Sequence, residues 1–248
     1  MEEKIVDTKK IRNKTLVSFL FFFLFLTGCI AGWKWLHLQA EDNDVPKPLR
    51  AVLNTNEKVF NSVFANGHLA KTYDLRDAVP RPRVNGDAGM SKDFDPSKWK
   101  LQLVKKAGDT TYISIDEIKA LPKTEIIFDF KCIEGWSQVT HWAGVRFSEF
   151  IQKYGLEQQS QMQFVGLNTP DKEYYVGIDM KSMLHPQTIL CYEMNGQPLP
   201  MNQGFPLRLI IPVKYGIKHL KRIGTLFFDN KRPPDYWYER GYDYYSGL

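Results

Sequence analysis

A mixed α+β domain preceded by one membrane-crossing helix is the architecture this sequence predicts. Three observations lead there. From Trp99 onward short strand-like stretches alternate with short helical ones, no internal repeat is visible, and Leu16 to Trp33 is a run of 18 residues without a charge. That run is just long enough to cross a bilayer, and the interleaving of short elements argues against a bundle or a doubly wound sheet. The composition, 43% hydrophobic, 14% aromatic and 25% charged over 248 residues, is that of a globular protein with room for one large domain.

The elements follow in chain order. Lys4, Lys9, Lys10, Arg12 and Lys14 precede the apolar run, while a lone Lys34 and then Glu41, Asp42 and Asp44 follow it. The basic excess places the N-terminus in the cytoplasm and the rest of the chain outside, with Trp33 and Trp35 at the interface. The reading is a cytoplasmic tail over 1–15, an anchor over 16–38, a linker and irregular extension over 39–90, and a folded domain over 91–248. Leu26 to Cys29 reads L-T-G-C, a lipoprotein-type processing string; because the apolar stretch continues past Cys29, the uncleaved anchor is preferred, and either route tethers the domain.

Pro46 and Pro48 beside acidic residues mark a solvated linker, and Gly67, Pro80, Pro82, Gly86 and Gly89 punctuate the extension. Trp99, Leu101 and Leu103 alternate with polar residues as a half-exposed strand. Ser114, Asp116 and Glu117 open a helix over Ile115 to Leu121 that Pro122 stops. Strands are expected at Glu125 to Phe130, Met162 to Leu167, Tyr174 to Ile178, Leu207 to Val213 and Ile223 to Phe228, and a helix from Val145 to Tyr154 ends at Gly155.

Several classes are excluded. Cys29, Cys132 and Cys191 form no C-x-x-C pair, and the five histidines show no zinc spacing. No G-x-S-x-G, P-loop lysine, G-x-G-x-x-G, C-x-x-C-H or twin-arginine pair is present. The formal net charge is +5, of which the residues before the apolar run supply +2 and the remainder +3, too little on an exported domain to point to nucleic acid.

Three segments can carry chemistry. Cys132 sits where a strand gives way to a glycine turn, in F-K-C-I-E-G-W-S, and there a sulfur can face a cleft as a nucleophile or soft-metal ligand; the plainer alternative is a buried core cysteine. Met194 to Phe228 holds no acid, whereas Arg208, Lys214, Lys218, Lys221 and Arg222 supply five positive charges. Arg208 interrupts an apolar strand and calls for an anionic partner, and Lys214 to Gly216 with His219 to Lys221 can hold a phosphate, unless the stretch is a solvated basic face. The tail carries Tyr236, Trp237, Tyr238, Tyr242, Tyr244 and Tyr245, either a lid over a cleft or a cover for the core.

Taken in order, C-I-E-G-W-S from Cys132, W-A-G-V from Trp142, Thr169 after a strand, Y-E-M-N-G-Q-P-L-P from Tyr192, Q-G-F-P-L-R-L-I-I-P from Gln203 and V-K-Y-G-I-K-H-L-K-R-I from Val213 resemble the sulfite oxidase family of molybdopterin enzymes. The last string and R-P-P from Arg232 look especially like its bacterial branch, the periplasmic protein-methionine-sulfoxide reductase catalytic subunits. The resemblance covers roughly residues 85–248. It implies a sulfite-oxidase-type domain of short strands and helices that binds molybdenum on a molybdopterin (Mo-molybdopterin), with Cys132 as metal ligand. It further implies cofactor contacts from Asn85, Thr169, Gln203, Arg208, His219, Leu220 and Lys221, and an active-site tyrosine at Tyr242. Gln203 departs from the histidine or asparagine of most relatives. The R-N-H string of sulfite oxidases aligns with Val84-Asn85-Gly86-Asp87, so the substrate-binding arginine is missing there, although Arg81 and Arg83 lie close by.

The resemblance implies a membrane-anchored, extracytoplasmic oxidoreductase that moves an oxygen atom, with reduction of a small-molecule or protein sulfoxide preferred. Oxidation of sulfite or a related anion is the alternative enzyme reading, and a metal-free tethered scaffold the alternative from another class. No second redox centre is encoded, so a separate haem-bearing membrane protein is the expected electron partner. No stretch resembles the dimer-forming domain of the sulfite oxidases, which points to a monomeric catalytic domain on the periplasmic side of the inner membrane.

Overall fold

The computed structural model describes residues 7–63, 68–84 and 86–248 and divides into two compact units, Met1–Thr55 and Asn56–Leu248. The first unit is dominated by helix α1 (Thr8–His37). Asp7 caps it by accepting the amides of Lys9 and Lys10 at 3.0 and 3.2 Å. Thirty residues give about 45 Å of helix, longer than a hydrocarbon core of about 30 Å. None of its residues is buried, so α1 is apolar without a core of its own to fill, and it begins eight residues before the expected anchor.

Strands β1 (Glu41–Asp42) and β2 (Val45–Pro46) then form a tight hairpin whose central Asn43 and Asp44 both adopt positive φ, as such a two-residue turn demands. Helix α2 (Lys47–Val63) follows. Its helical backbone corrects the expectation of linker and irregular extension over this stretch. Pro48 lies in the first turn, where a missing amide is harmless, so it starts a helix and does not mark a linker.

In the second unit two antiparallel-rich sheets carry the fold. Strands β3 (Leu101–Lys106) and β4 (Asp109–Ile113) form a hairpin, and the Ser114–Glu117 capping box then starts α3 (Ile115–Lys119), as the sequence predicts. Strand β5 (Lys123–Lys131) pairs along its whole length with β6 (Ser137–Arg146), and α4 (Phe147–Lys153) follows directly. The expected helix from Val145 starts two residues later because Val145 still pairs in the sheet with Lys123. Next come β7 (Phe164–Asn168), β8 (Tyr175–Asp179), α5 (Met180–Met183), β9 (Ile189–Met194), β10 (Gln197–Pro198), β11 (Arg208–Ile210) and β12 (Thr225–Asp229).

One sheet runs β10-β9-β6-β5 with β11 also on β9; the other runs β4-β3-β12-β7-β8, where β3 and β12 are parallel. The larger core joins Leu101, Leu103, Phe147, Phe150, Leu167 and Leu226, and a second cluster gathers Phe128, Phe130, Trp142, Cys191 and Ile210. Residues 68–84 hold no named strand yet are strapped to the first sheet. The Tyr73 amide donates to Ile127 O at 3.0 Å and the Val79 amide to Val139 O at 3.0 Å, while the Asn195 side chain donates to Val79 O and Pro80 O.

Close packing of β6 on β9 depends on Gly144, which sits at a register shift. A Cβ there would lie 2.1 Å from Leu190 O and 2.6 Å from the Cys191 Cα, both backbone atoms. Gly144→Ala is therefore expected to cost about 3 kcal/mol, read as a lowered midpoint in denaturant unfolding.

Candidate active site

Strand β5 delivers Cys132 to a turn closed by two backbone bonds, Cys132 N to Trp136 O at 2.9 Å and Gly135 N to Cys132 O at 3.1 Å. Gly135 takes φ +87° at that turn, which is why a glycine stands there. Cys132 is only 5% exposed, yet it lines a cleft of about 120 Å³. Burial pushes the thiol up from its ordinary range, Glu134 adds to this by its charge, and Arg83 opposes it.

The same cleft is lined by His219, Lys221, Tyr174, Trp237, Tyr242 and Glu134. The structure thus brings together four of the residues singled out in the sequence: Cys132, His219, Lys221 and Tyr242. Trp237 and Tyr242 pack edge to face at 5.0 Å and form one wall, whereas Tyr244 and Tyr245 are buried. The aromatic tail is both wall and cover.

Arg208 lies behind the cleft on β11, fully buried, with its guanidinium 4.6 Å from the Trp142 ring. Its Nη1 donates to Gln203 O at 3.1 Å and Gln203 Oε1 at 2.9 Å, while the Gln203 amide donates to Pro82 O at 3.3 Å. Gln203 therefore ties Arg208 to the strap over residues 68–84. Thr169, at the end of β7, is buried; its hydroxyl donates to Asp171 Oδ1 at 2.5 Å and accepts the Tyr174 amide at 3.1 Å. Leu220 is a core side chain, and its amide and carbonyl are engaged by Lys218 O and Leu209 N. Asn85 lies outside the described residues.

Of the five cations in the acid-free stretch, three are accounted for internally. Lys214 pairs with Asp179 at 2.9 Å, Lys218 pairs with Asp235, and Arg222 donates to Phe205 O and Ser91 O. The two lysines take carboxylates from other segments and Arg222 is held on backbone oxygens, so the three form neither a solvated face nor a phosphate loop. Arg208 and Lys221 remain. Lys221 Nζ donates to Gly86 O, and burial with the nearby Arg208 charge pulls its ammonium down to about 7. The Nε of Arg208 is buried without a partner.

His219 is held as a neutral ring. Its Nδ1 accepts the Ile211 amide at 3.4 Å, leaving Nε2–H to donate to Lys214 O at 3.1 Å, and the ring meets Phe130 at 4.7 Å. Burial, then Arg208, lowers its pKa to about 3. The unfolded chain takes up this proton below about 6.5 and the folded chain does not, so the contribution is full above that pH and lost as pH falls from 6.5 toward 3. The cofactor-free protein is expected to lose stability over that window, and His219→Gln to flatten the slope, measured by urea unfolding at each pH.

A buried arginine with an unpartnered donor, beside a lysine and a neutral histidine with no carboxylate ion-paired to them among the described residues, fits a phosphate. Among the described residues no group of three or more His, Cys, Asp and Glu side chains is placed to hold a metal, so any metal here would take Cys132 and find its other donors on a bound group. One cleft-facing cysteine beside a lysine and a neutral histidine, with a buried arginine behind them, is a donor set that suits a cofactor bringing most of its own metal ligands, as cofactor-dependent oxidoreductases use.

Residues 88–237 match the family described as oxidoreductase molybdopterin binding domain, and the chain belongs to that family. The putative protein-methionine-sulfoxide reductase subunit YedZ1 of Azospira oryzae is 33% identical over 226 residues, 90% of this chain and 81% of its own. The protein-methionine-sulfoxide reductase catalytic subunit MsrP of Xanthomonas campestris pv. campestris is 30% identical over 60% of this chain, which spans about half, 50%, of that relative's length. The solved sulfane dehydrogenase SoxCD of Paracoccus pantotrophus is 15% identical over 56% of this chain and 40% of its own, with a TM-score of 0.49. The chain is an oxidoreductase whose cofactor is Mo-molybdopterin.

Glu134 and Tyr174 line the cleft without having been singled out as site residues, whereas Trp237 belongs to the tail expected as lid or cover. Glu134 had a signal, since it stands two residues after Cys132 in the same turn.

Proposed function

We propose that this protein reduces sulfoxides on the extracytoplasmic side of a membrane to which α1 anchors it, with electrons from a separate haem-bearing membrane protein. The observation that carries the substrate class is the cleft lining. Ile133, Tyr174, Ile217, Trp237 and Tyr242 offer an apolar and aromatic wall, and the one acidic group among the lining side chains, Glu134, stands beside Cys132. That carboxylate neutralises Arg83, 3.6 Å away, so the guanidinium offers little attraction to an oxyanion such as sulfite, while a neutral sulfoxide is tolerated. The names of the similar reductase subunits support the same direction.

Arg208 and Lys221 would hold the phosphate of the molybdopterin, and the Cys132 sulfur its metal; coordination deprotonates a thiol outright, which offsets the raised pKa. When bound, the group supplies two-electron oxygen-atom transfer. The chain's own residues do the rest. The aromatic wall binds the carbon groups flanking the sulfoxide and excludes water, and Glu134 can pass a proton to the departing oxygen, which leaves as water after two protons and two electrons are taken up.

Sulfite oxidation is the second reading, favoured by Arg83 near the sulfur. Its guanidinium, however, is already taken up, 4.8 Å from the Trp136 ring and 3.6 Å from Glu134 Oε2. Reduced-dye oxidation by methionine sulfoxide is expected with the molybdenum-loaded protein, and ferricyanide reduction by sulfite is not; turnover of sulfite alone would overturn the direction. Glu134→Gln should raise the response to sulfite several-fold while slowing sulfoxide turnover.

A further inference from the structure

Helix α2 is built inside out. Leu49, Val52, Leu53, Val59 and Phe60 fall on one stripe at helical spacing, and four of them are open: Leu49 is 43%, Val52 56%, Val59 55% and Phe60 56% exposed. Polar residues on another face are the buried ones, Arg50 at 2% and Glu57 at 8%. Arg50 donates to Asp42 O at 3.1 Å and Asn43 O at 3.3 Å, and Glu57 accepts the Arg232 guanidinium at 2.5 Å. A helix in water does the reverse, so the outward stripe marks an interaction surface.

We propose that this stripe rests in the lipid–water interface of the outer leaflet, an inference that depends on α1 being the membrane anchor. Continuity supports it. The chain leaves α1 at His37 and enters α2 at Lys47, and the short intervening segment is partly folded into the β1–β2 hairpin, which keeps α2 within about 30 Å of the span's end. Trp33 and Trp35, residues suited to the headgroup level, close that span.

The stripe's chemistry favours lipid over a protein partner. It extends about 17 Å along the helix and is interrupted at its middle by Asn56, exposed on the same face. A dry protein interface would strand that amide, whereas the hydrated headgroup layer satisfies it.

The full chain in its native membrane tests this, with photo-crosslinking p-benzoylphenylalanine placed in turn at positions 52, 60 and 58. Lipid adducts at 52 and 60, on the order of tenfold above those at 58, are expected by mass spectrometry. Adducts to a protein at 52 and 60 would overturn the lipid assignment in favour of a docking partner. Retention of the chain through an alkaline carbonate wash without lipid adducts would overturn this inference and leave the anchor standing. Release by carbonate would remove both.

Discussion

Cys132→Ala is expected to bring turnover to background and strip molybdenum from the protein, while Cys191→Ala keeps both. The two sulfurs differ in what surrounds them. Cys132 faces a cleft with a lysine and an aromatic wall, whereas Cys191 lies at the centre of β9, fully buried, its thiol pushed up to about 12 by burial and bonded to Glu193 O at 3.2 Å. A thiol that cannot ionise binds no metal. Losing the Cys191 sulfur leaves a small cavity worth about 1 kcal/mol, and losing the Cys132 sulfur removes the protein's own bond to the metal. Metal analysis beside dye-linked assays of both variants checks this; equal activity would show the ligand assignment to be wrong.

Asp235→Ala should be the most damaging substitution outside the cleft, costing roughly 3–5 kcal/mol. Lys218 and Asp235 are each 1% exposed, and the ammonium also donates to Gly177 O at 3.1 Å. Without Asp235 that charge stays buried and unpaired. The carboxylate also accepts the Gly177 amide at 3.1 Å and the Tyr238 amide at 3.0 Å, so it fastens the aromatic tail to β8. Activity should fall along with stability because Trp237 and Tyr242 lose their mooring. Lys218→Met with Asp235→Leu should cost clearly less than the two single changes added together; a strictly additive result in a double-mutant cycle by urea unfolding would show that the pair is uncoupled.

Much of this architecture is legible in the chain. The Ser114–Glu117 cap, the alternation around Leu101 and Leu103, and the glycine after Cys132 each determine local structure through short-range physics, and the family itself is legible in the ordered motifs from Cys132 onward. Strand β6 is not legible, since S-Q-V-T-H-W-A-G-V-R mixes polar residues with a glycine that only close packing on β9 explains. Helix α2 hides because its apolar stripe is broken at its middle by Asn56. The fate of the basic stretch is hidden for another reason. Asp179 and Asp235 are brought to Lys214 and Lys218 by tertiary folding, so local spacing cannot reveal that these charges are already spent.

That internal pairing changes what the protein presents to its surroundings. Arg208 and Lys221 point inward to the anion cradle, and Lys214 and Lys218 are neutralised in place, so most of the modest positive excess outside the N-terminal tail never reaches the surface. The outward field is close to neutral. The membrane electron donor proposed above would thus be selected by the shape of the contact it makes, with little long-range steering to speed its approach.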